Sequence, residues 1–168
     1  PMLHPWAPWP LTLPVVASTP VLHLPADAHA AMLAHALDCF PLEACGLIAG
    51  SPGSVGSPGE PARVDWFVPC DNIAASSKVY TLDPRQHLAA DRRAEDEGGQ
   101  IIGVVHSHTH TEPYPSPTDV ATAIDPQWHY LIISLRDDEP MLRSWRIVDN
   151  EVTEEPVVIV AGIVVSDP

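Results

Sequence analysis

The sequence predicts an α+β domain built on a mostly antiparallel or mixed sheet. Short apolar, β-branched and aromatic runs recur at 45–50, 62–69, 78–82, 101–105, 129–135 and 142–148, and these lengths suit strands. Two segments, 27–39 and 84–97, have helical spacing bounded by recognisable start and stop residues. The two kinds of element do not alternate strictly, which argues against a doubly wound parallel sheet.

Residues 1–20 hold six of the 20 prolines, with Trp6 and Trp9 among them, and such a run favours an extended arm over a helix. The domain proper is expected over 21–168. Asp27 is placed to cap a helix over about 27–39, where Ala31, Met32, His35, Ala36 and Cys39 share a face and Pro41 ends the run. CGLIAG at 45–50 predicts a strand, and SPGSVGSPGEP at 51–61 a flexible loop. ARVDWFVP (62–69) and KVYTL (78–82) predict two more strands, separated by the polar CDNIAASS. Asp83-Pro84 opens a polar helix that Gly98-Gly99 stops, and IIGVV at 101–105 reads as a buried strand leading to His106. A short helix is expected around Asp119, running to about Ile124. HYLIISL and LRSWRIV then form a hairpin about RDDEP, and VTEEPVVIVAGIVV closes the chain as further strand.

With 168 residues, 45% hydrophobic and 18% charged, the chain can bury a core without staples. Eight basic residues against 22 acidic ones give a formal charge of −14, so neither nucleic acid nor an anionic membrane is an expected partner. Cys39, Cys45 and Cys70 are odd in number and lack CxxC spacing, which suggests neither a disulfide framework nor a thiolate cluster and fits the cytoplasm. The apolar N-terminal stretch has no Lys or Arg and is broken by prolines, so no signal peptide or anchor is expected there.

The chemistry concentrates in VVHSHTHTEPYPSPTD, residues 104–119. On an extended segment His106 and His108 point to the same side and can offer two nitrogens to one ion, while Ser107 points away and reads as a structural hydrogen-bonder. Candidates for a third ligand are His110, Glu112 and Asp119. His110 shares the parity of the pair, but on a straight strand it would lie roughly 13 Å from the first histidine. Glu112 sits in a loop whose backbone Pro113 and Pro115 fix. Asp119 lies in the first turn of the next helix, where strand end and helix start converge, and is the better ligand. Ser116-Pro117-Thr118-Asp119 can equally be a plain helix start, with Ser at the N-cap, Pro at the first position and Asp completing a capping box.

Glu43 within PLEACGLIAG, followed by His106-Ser107-His108, seven residues, Ser116, two residues and Asp119, resembles the signature of the JAMM (MPN-plus) zinc metalloproteases. The resemblance covers about residues 21–158, and Thr109 departs from it where many members have Pro. It implies the JAMM/MPN (cytidine-deaminase-like) fold, a mixed central sheet flanked by helices. It also implies one Zn2+ per chain on His106, His108 and Asp119. Glu43 would then take a proton from the attacking water and pass it to the leaving amine, and Ser116 would donate to the carbonyl oxygen.

Within that family the chain is most similar to short bacterial members of the CysO-cysteine peptidase group, through YTLDPRQHL, HSHTHTEPYPSPTDV and LRSWRIVDNEVTEEPV. That similarity implies release of cysteine from a ubiquitin-like sulfur-carrier protein with a C-terminal Gly-Gly tail, a step in cysteine biosynthesis. An isopeptidase removing a ubiquitin-like modifier from lysine could use the same centre. An inactive MPN scaffold is disfavoured by the intact residue set, and a cytidine deaminase by the missing PCxxC motif. Whether the chain acts alone or as a homodimer stays open.

Overall fold

A computed structural model describes residues 21–53 and 60–161. The Pro-rich arm expected at 1–20 lies outside the described residues, as do the middle of the 51–61 loop and the last residues of the expected closing strand. β1 (Leu22–Pro25) runs into α1 (Ala26–Cys39), and β2 (Cys45–Ser51) and β3 (Ala62–Cys70) follow. α2 (Pro84–Asp96) leads to β4 (Gln100–His108), and α3 (Pro117–Thr122) to β5 (His129–Ser134). β6 (Met141–Val148), β7 (Glu151–Glu155) and β8 (Val157–Val160) complete the order.

The strands form one eight-stranded sheet in the order β7-β6-β5-β4-β2-β3-β1-β8. It is mixed, as expected: β2 pairs antiparallel with β3 and β4, as β6 does with β5 and β7, while β4–β5, β1–β3 and β1–β8 are parallel. α1 packs Met32 and Ala36 against Leu22, Ile48, Val105 and Leu131 on one face. α2 packs Ala90 and Ala94 with Leu47, Val104, Ile132 and Trp145 on the other. Because both faces are covered, β2 and β4 are buried almost end to end and read as continuous apolar runs rather than alternating ones. Gly103 permits the close β4–β5 pairing, since a Cβ there would collide with the His129 carbonyl.

Alternation along β4 then decides where the chemistry lies. Val105 belongs to the α1 face and Val104 to the α2 face, so His106 and His108 project with Val104 and Ser107 with Val105.

The boundaries of α2 follow the expected chemistry. Asp83 caps it by accepting the Arg85 N–H at 2.8 Å, Pro84 takes the first position, and Gly98 ends it with a left-handed φ of 76°. α1 differs from expectation. β1, unforeseen in the sequence, feeds directly into it, so Pro25 occupies the N-cap. Asp27 is the second residue of the helix, within its first turn, and accepts the Ala28 N–H at 2.9 Å.

Two further expectations are corrected. Residues 78–82 form no strand; one antiparallel bridge, Asn72–Leu82, is all that pairs there, because the Asn72 side chain occupies backbone groups that a ladder would use. The closing strand is two strands, broken at Pro156, which has no N–H to continue a ladder. β7 and β8 lie on opposite edges of the sheet although one residue separates them, so the sheet curls until its two edges meet at this corner.

A buried polar cluster sits at that corner. Glu155 Oε2 lies 2.6 Å from His129 Nδ1 and accepts the Ser144 hydroxyl at 3.0 Å, and all three residues are buried. No described helix is long and apolar enough to cross a membrane.

Candidate metal and catalytic site

β4 ends at His108, a loop of eight residues, 109–116, turns back, and α3 begins beside the strand end. This turn brings together three of the residues singled out in the sequence. His106 Nε2 and His108 Nε2 are 3.1 Å apart, Asp119 Oδ1 is 3.5 Å from the first and Asp119 Oδ2 is 3.4 Å from the second. Four ligands at tetrahedral angles and zinc bond lengths of ~2.05 Å lie about 3.3 Å from one another. The two Asp119 contacts use different oxygens; with one ligand atom from each residue the three lie within 4.8 Å of one another, near enough to that spacing for a single metal ion. Among the described residues they are a group able to hold a metal.

The outer contacts orient the ligands. His108 Nδ1 lies 2.9 Å from the Glu112 carbonyl, an acceptor only, so Nδ1 carries the proton and Nε2 is left with its lone pair. His106 is stacked on Tyr80 at 4.5 Å between ring centroids, and its buried Nδ1 has no partner among the described residues. Asp119 satisfies both readings of its sequence context. Its Oδ2 accepts the Ser116 N–H at 2.7 Å and its own N–H donates to Ser116 Oγ at 3.1 Å, a full capping box, while both oxygens face the histidines.

Electrostatics follow from this crowding. Burial alone would raise the Asp119 pKa, but His106 and His108 outweigh it and hold the carboxyl well below the usual carboxylate range. Burial lowers His106, against the pull of Asp119, which favours the neutral ligand form. At His108 burial also lowers, but the hydrogen bonds to Asp119 and Glu112 prevail and raise it.

Glu43 lies between α1 and β2, and only 5% of it is exposed. Burial raises its pKa to about 7, with His108 opposing and Asp119 reinforcing the rise, so its carboxyl shares the field of the ligand group. Its neighbour Ala44 donates its N–H to Ser107 Oγ at 2.8 Å and accepts the Ser107 N–H at 3.0 Å. Ser107, projecting to the face opposite the histidines, is thus a structural hydrogen-bonder. It ties the Glu43 segment to the strand bearing both histidines.

His110 stands apart from the ligand group: it is exposed, contacts Thr109 Oγ1 through Nδ1 at 2.7 Å and lies beside Phe40. Glu112 contributes only its carbonyl. Thr109, the departure from the family pattern, is buried and donates its hydroxyl to the Ser77 carbonyl at 3.1 Å.

The turn is held by residues that no motif or spacing singles out. Ser134 Oγ donates to the Thr111 carbonyl at 2.6 Å and Trp145 Nε1 to the Pro113 carbonyl at 2.8 Å, on either side of the carbonyl held by His108. Nothing local marks Ser134 or Trp145, since each reaches the loop from another strand. An open cleft of about 510 Å³, lined by Tyr80, Leu82, Thr122, Trp128 and Tyr130 among others, ends on Asp119.

Comparison with known proteins gives a consistent picture. The family model described as prokaryotic homologs of the JAB domain matches residues 25–148. The chain is 44% identical over 141 residues to the CysO-cysteine peptidase of Mycobacterium tuberculosis, covering 83% of this chain and 92% of that protein. It is 35% identical over 118 residues to the desampylase of Haloferax volcanii, covering 67% and 80% respectively. A solution structure of a protein from Desulfitobacterium hafniense superposes with a TM-score of 0.73 at 33% identity, covering 83% of this chain and 93% of that one.

Proposed function

The chain belongs to the prokaryotic JAB-domain family, and from that membership we propose that it is a zinc-dependent peptidase acting on a ubiquitin-like sulfur-carrier protein. It hydrolyses the amide bond after the carrier's C-terminal Gly-Gly and releases cysteine. The observation that carries this reading is the group of His106, His108 and Asp119, near enough to one another for a single metal ion, with the buried Glu43 carboxyl in its field. The likeness to a CysO-cysteine peptidase along most of both chains supports the substrate.

His106, His108 and Asp119 would hold the ion. When bound, zinc supplies Lewis acidity and lowers the pKa of water toward ~7. Glu43, with a pKa raised to about 7, is suited to carry one proton both ways near neutrality. It takes the proton of the attacking water as the new carbon–oxygen bond forms and gives it to the amine nitrogen as the carbon–nitrogen bond breaks. Ser116 Oγ already accepts the Asp119 N–H, so its own proton is free to donate to the carbonyl oxygen as that atom gains charge. The cleft along Val79–Leu82 and α3 would take the tail, because glycines have no side chains to obstruct a narrow approach.

Cys39, Cys45 and Cys70 are free thiols, as a reducing cytoplasm would keep them. Residues 21–168 act as the catalytic domain, with 1–20 outside it. The deciding experiment is mass spectrometry of ubiquitin-like carriers ending in Gly-Gly-Cys after incubation with the zinc-loaded protein. Loss of one cysteine supports the reading, and an unchanged carrier refutes it. The likeness to a desampylase favours one alternative, an isopeptidase acting on lysine-linked modifiers. A lysine-linked conjugate in the same assay separates the two.

A further inference from the structure

The segment between β3 and α2 has no strand of its own, yet Glu43 rests against it, and one side chain organises it. Asn72 Nδ2 donates at short range to the carbonyls of Glu43 at 3.0 Å and Val79 at 3.1 Å, with a longer, secondary contact to the Ser76 carbonyl at 3.5 Å. Asn72 Oδ1 accepts the N–H groups of Ala74 at 3.1 Å and Thr81 at 3.0 Å. Two donors and two lone pairs are the whole capacity of a primary amide. A flipped amide would set like against like at all four contacts, so the partners fix its orientation.

Glu43 gives both of its peptide groups to this segment, its N–H to the Ser76 carbonyl at 2.9 Å and its own carbonyl to Asn72. At the very next residue the grip passes to Ser107 on β4. The backbone that carries the Glu43 carboxyl is therefore clamped between the ligand-bearing strand and a loop that a single amide holds in shape. The same amide also shapes one wall of the cleft, since Val79 and Thr81 belong to it.

We infer that Asn72 is a positioning residue for the reaction: it fixes the Glu43 peptide, and so the place from which the carboxyl reaches the metal group. The inference rests on the reading of Glu43 as proton carrier. A displacement of about 1 Å at a reacting group can cost ~10²-fold in rate, so a remote amide can matter as much as a direct contact. Asn72→Asp keeps the size but sets oxygen against the carbonyls of Glu43 and Val79. Asn72→Ala leaves all four partners unmet.

The test combines kinetics with amide hydrogen exchange on the zinc-loaded full chain, using a ubiquitin-like carrier ending in Gly-Gly-Cys and a lysine-linked conjugate. Asn72→Ala and Asn72→Asp should lower kcat about 10- to 100-fold, with KM within about threefold and zinc content unchanged, because the ligands belong to β4 and α3. In a Glu43→Gln background, Asn72→Ala should reduce the residual rate no further. The Glu43 and Thr81 amides should lose at least tenfold of their protection, while Ala44 and Ser107 keep theirs. Full kcat, a change confined to KM, multiplicative losses in the double variant, or unaltered exchange overturns the inference. Should Ala or Asp prevent folding, Asn72→Ser is held to the same outcomes. If the unsubstituted protein cleaves neither substrate, the proposed function fails, and the exchange measurement still decides whether Asn72 holds Glu43.

Discussion

Replacing Glu43 by Gln exchanges one ionisable oxygen for a nitrogen of equal size, and the structure assigns the change opposite effects on stability and on turnover. In the metal-free protein the Glu43 pKa rises from 4.5 to about 7, chiefly through burial. Between those two values the folded state keeps a proton that the unfolded chain has lost, so stability falls as pH rises through this window and stays low above it. Holding the carboxylate ionised costs at most about 3 kcal/mol, the free-energy equivalent of that shift. Gln has no proton to lose. Urea unfolding of the metal-free proteins should show Glu43→Gln more stable by that amount at pH 8 and equal to the unsubstituted chain at pH 4, where both side chains are neutral. Loaded with zinc, the same variant should bind the metal and lose ~10²–10⁴-fold in turnover. Equal stability at pH 8, a gain that persists at pH 4, or undiminished turnover would refute the reasoning.

Other expectations follow from the same geometry. Chelation should abolish cleavage and lower the melting temperature, since an ion at a thousand times its Kd stabilises the fold by about 4 kcal/mol; an active, metal-free enzyme would contradict the site. Ser116→Ala removes the side-chain half of the α3 cap, at about 1 kcal/mol, and the proton offered to the carbonyl oxygen, at ~10²–10³-fold in kcat. Zinc content should survive this change, because the Asp119 carboxylate still accepts the backbone N–H of residue 116. Glu155→Ala leaves the buried His129 and Ser144 without their shared partner and should cost about 3–5 kcal/mol, read as a fall in melting temperature of ~10 °C; an unchanged melting point would mean that the cluster does not hold the corner.

The candidate site was legible where its chemistry is written in short-range spacing. His106 and His108 alternate on one strand, Ser116 and Asp119 span one helical turn, and Glu43 heads an apolar run. Strand parity paired the two histidines, the resemblance to the JAMM signature joined Glu43, Ser116 and Asp119 to them, and α2 could be bounded from Asp83-Pro84 and Gly98. What escaped was contact between distant parts of the chain. The β propensity of residues 78–82 was overridden by the Asn72 amide, seven residues before Val79 and nine before Thr81, and alternation at the C-terminus could not say that β8 crosses to the far edge of the sheet. Pro156 lies inside a run that reads as one closing strand, and nothing local shows it to be the point where a curled sheet meets itself. Tyr80, Ser134 and Trp145 carry no local signal, because what they touch is set by the tertiary fold.

The three consecutive carbonyls of the turn after β4, at Thr111, Glu112 and Pro113, are each gripped from a different strand. Such a turn works as a gauge. Add or remove one residue between His108 and Ser116 and at least one carbonyl slips past its donor, carrying Asp119 out of step with the histidines. The seven-residue interval that marks this signature in a bare sequence is, on this view, a mechanical length, cut to span three fixed pegs and arrive at the ion.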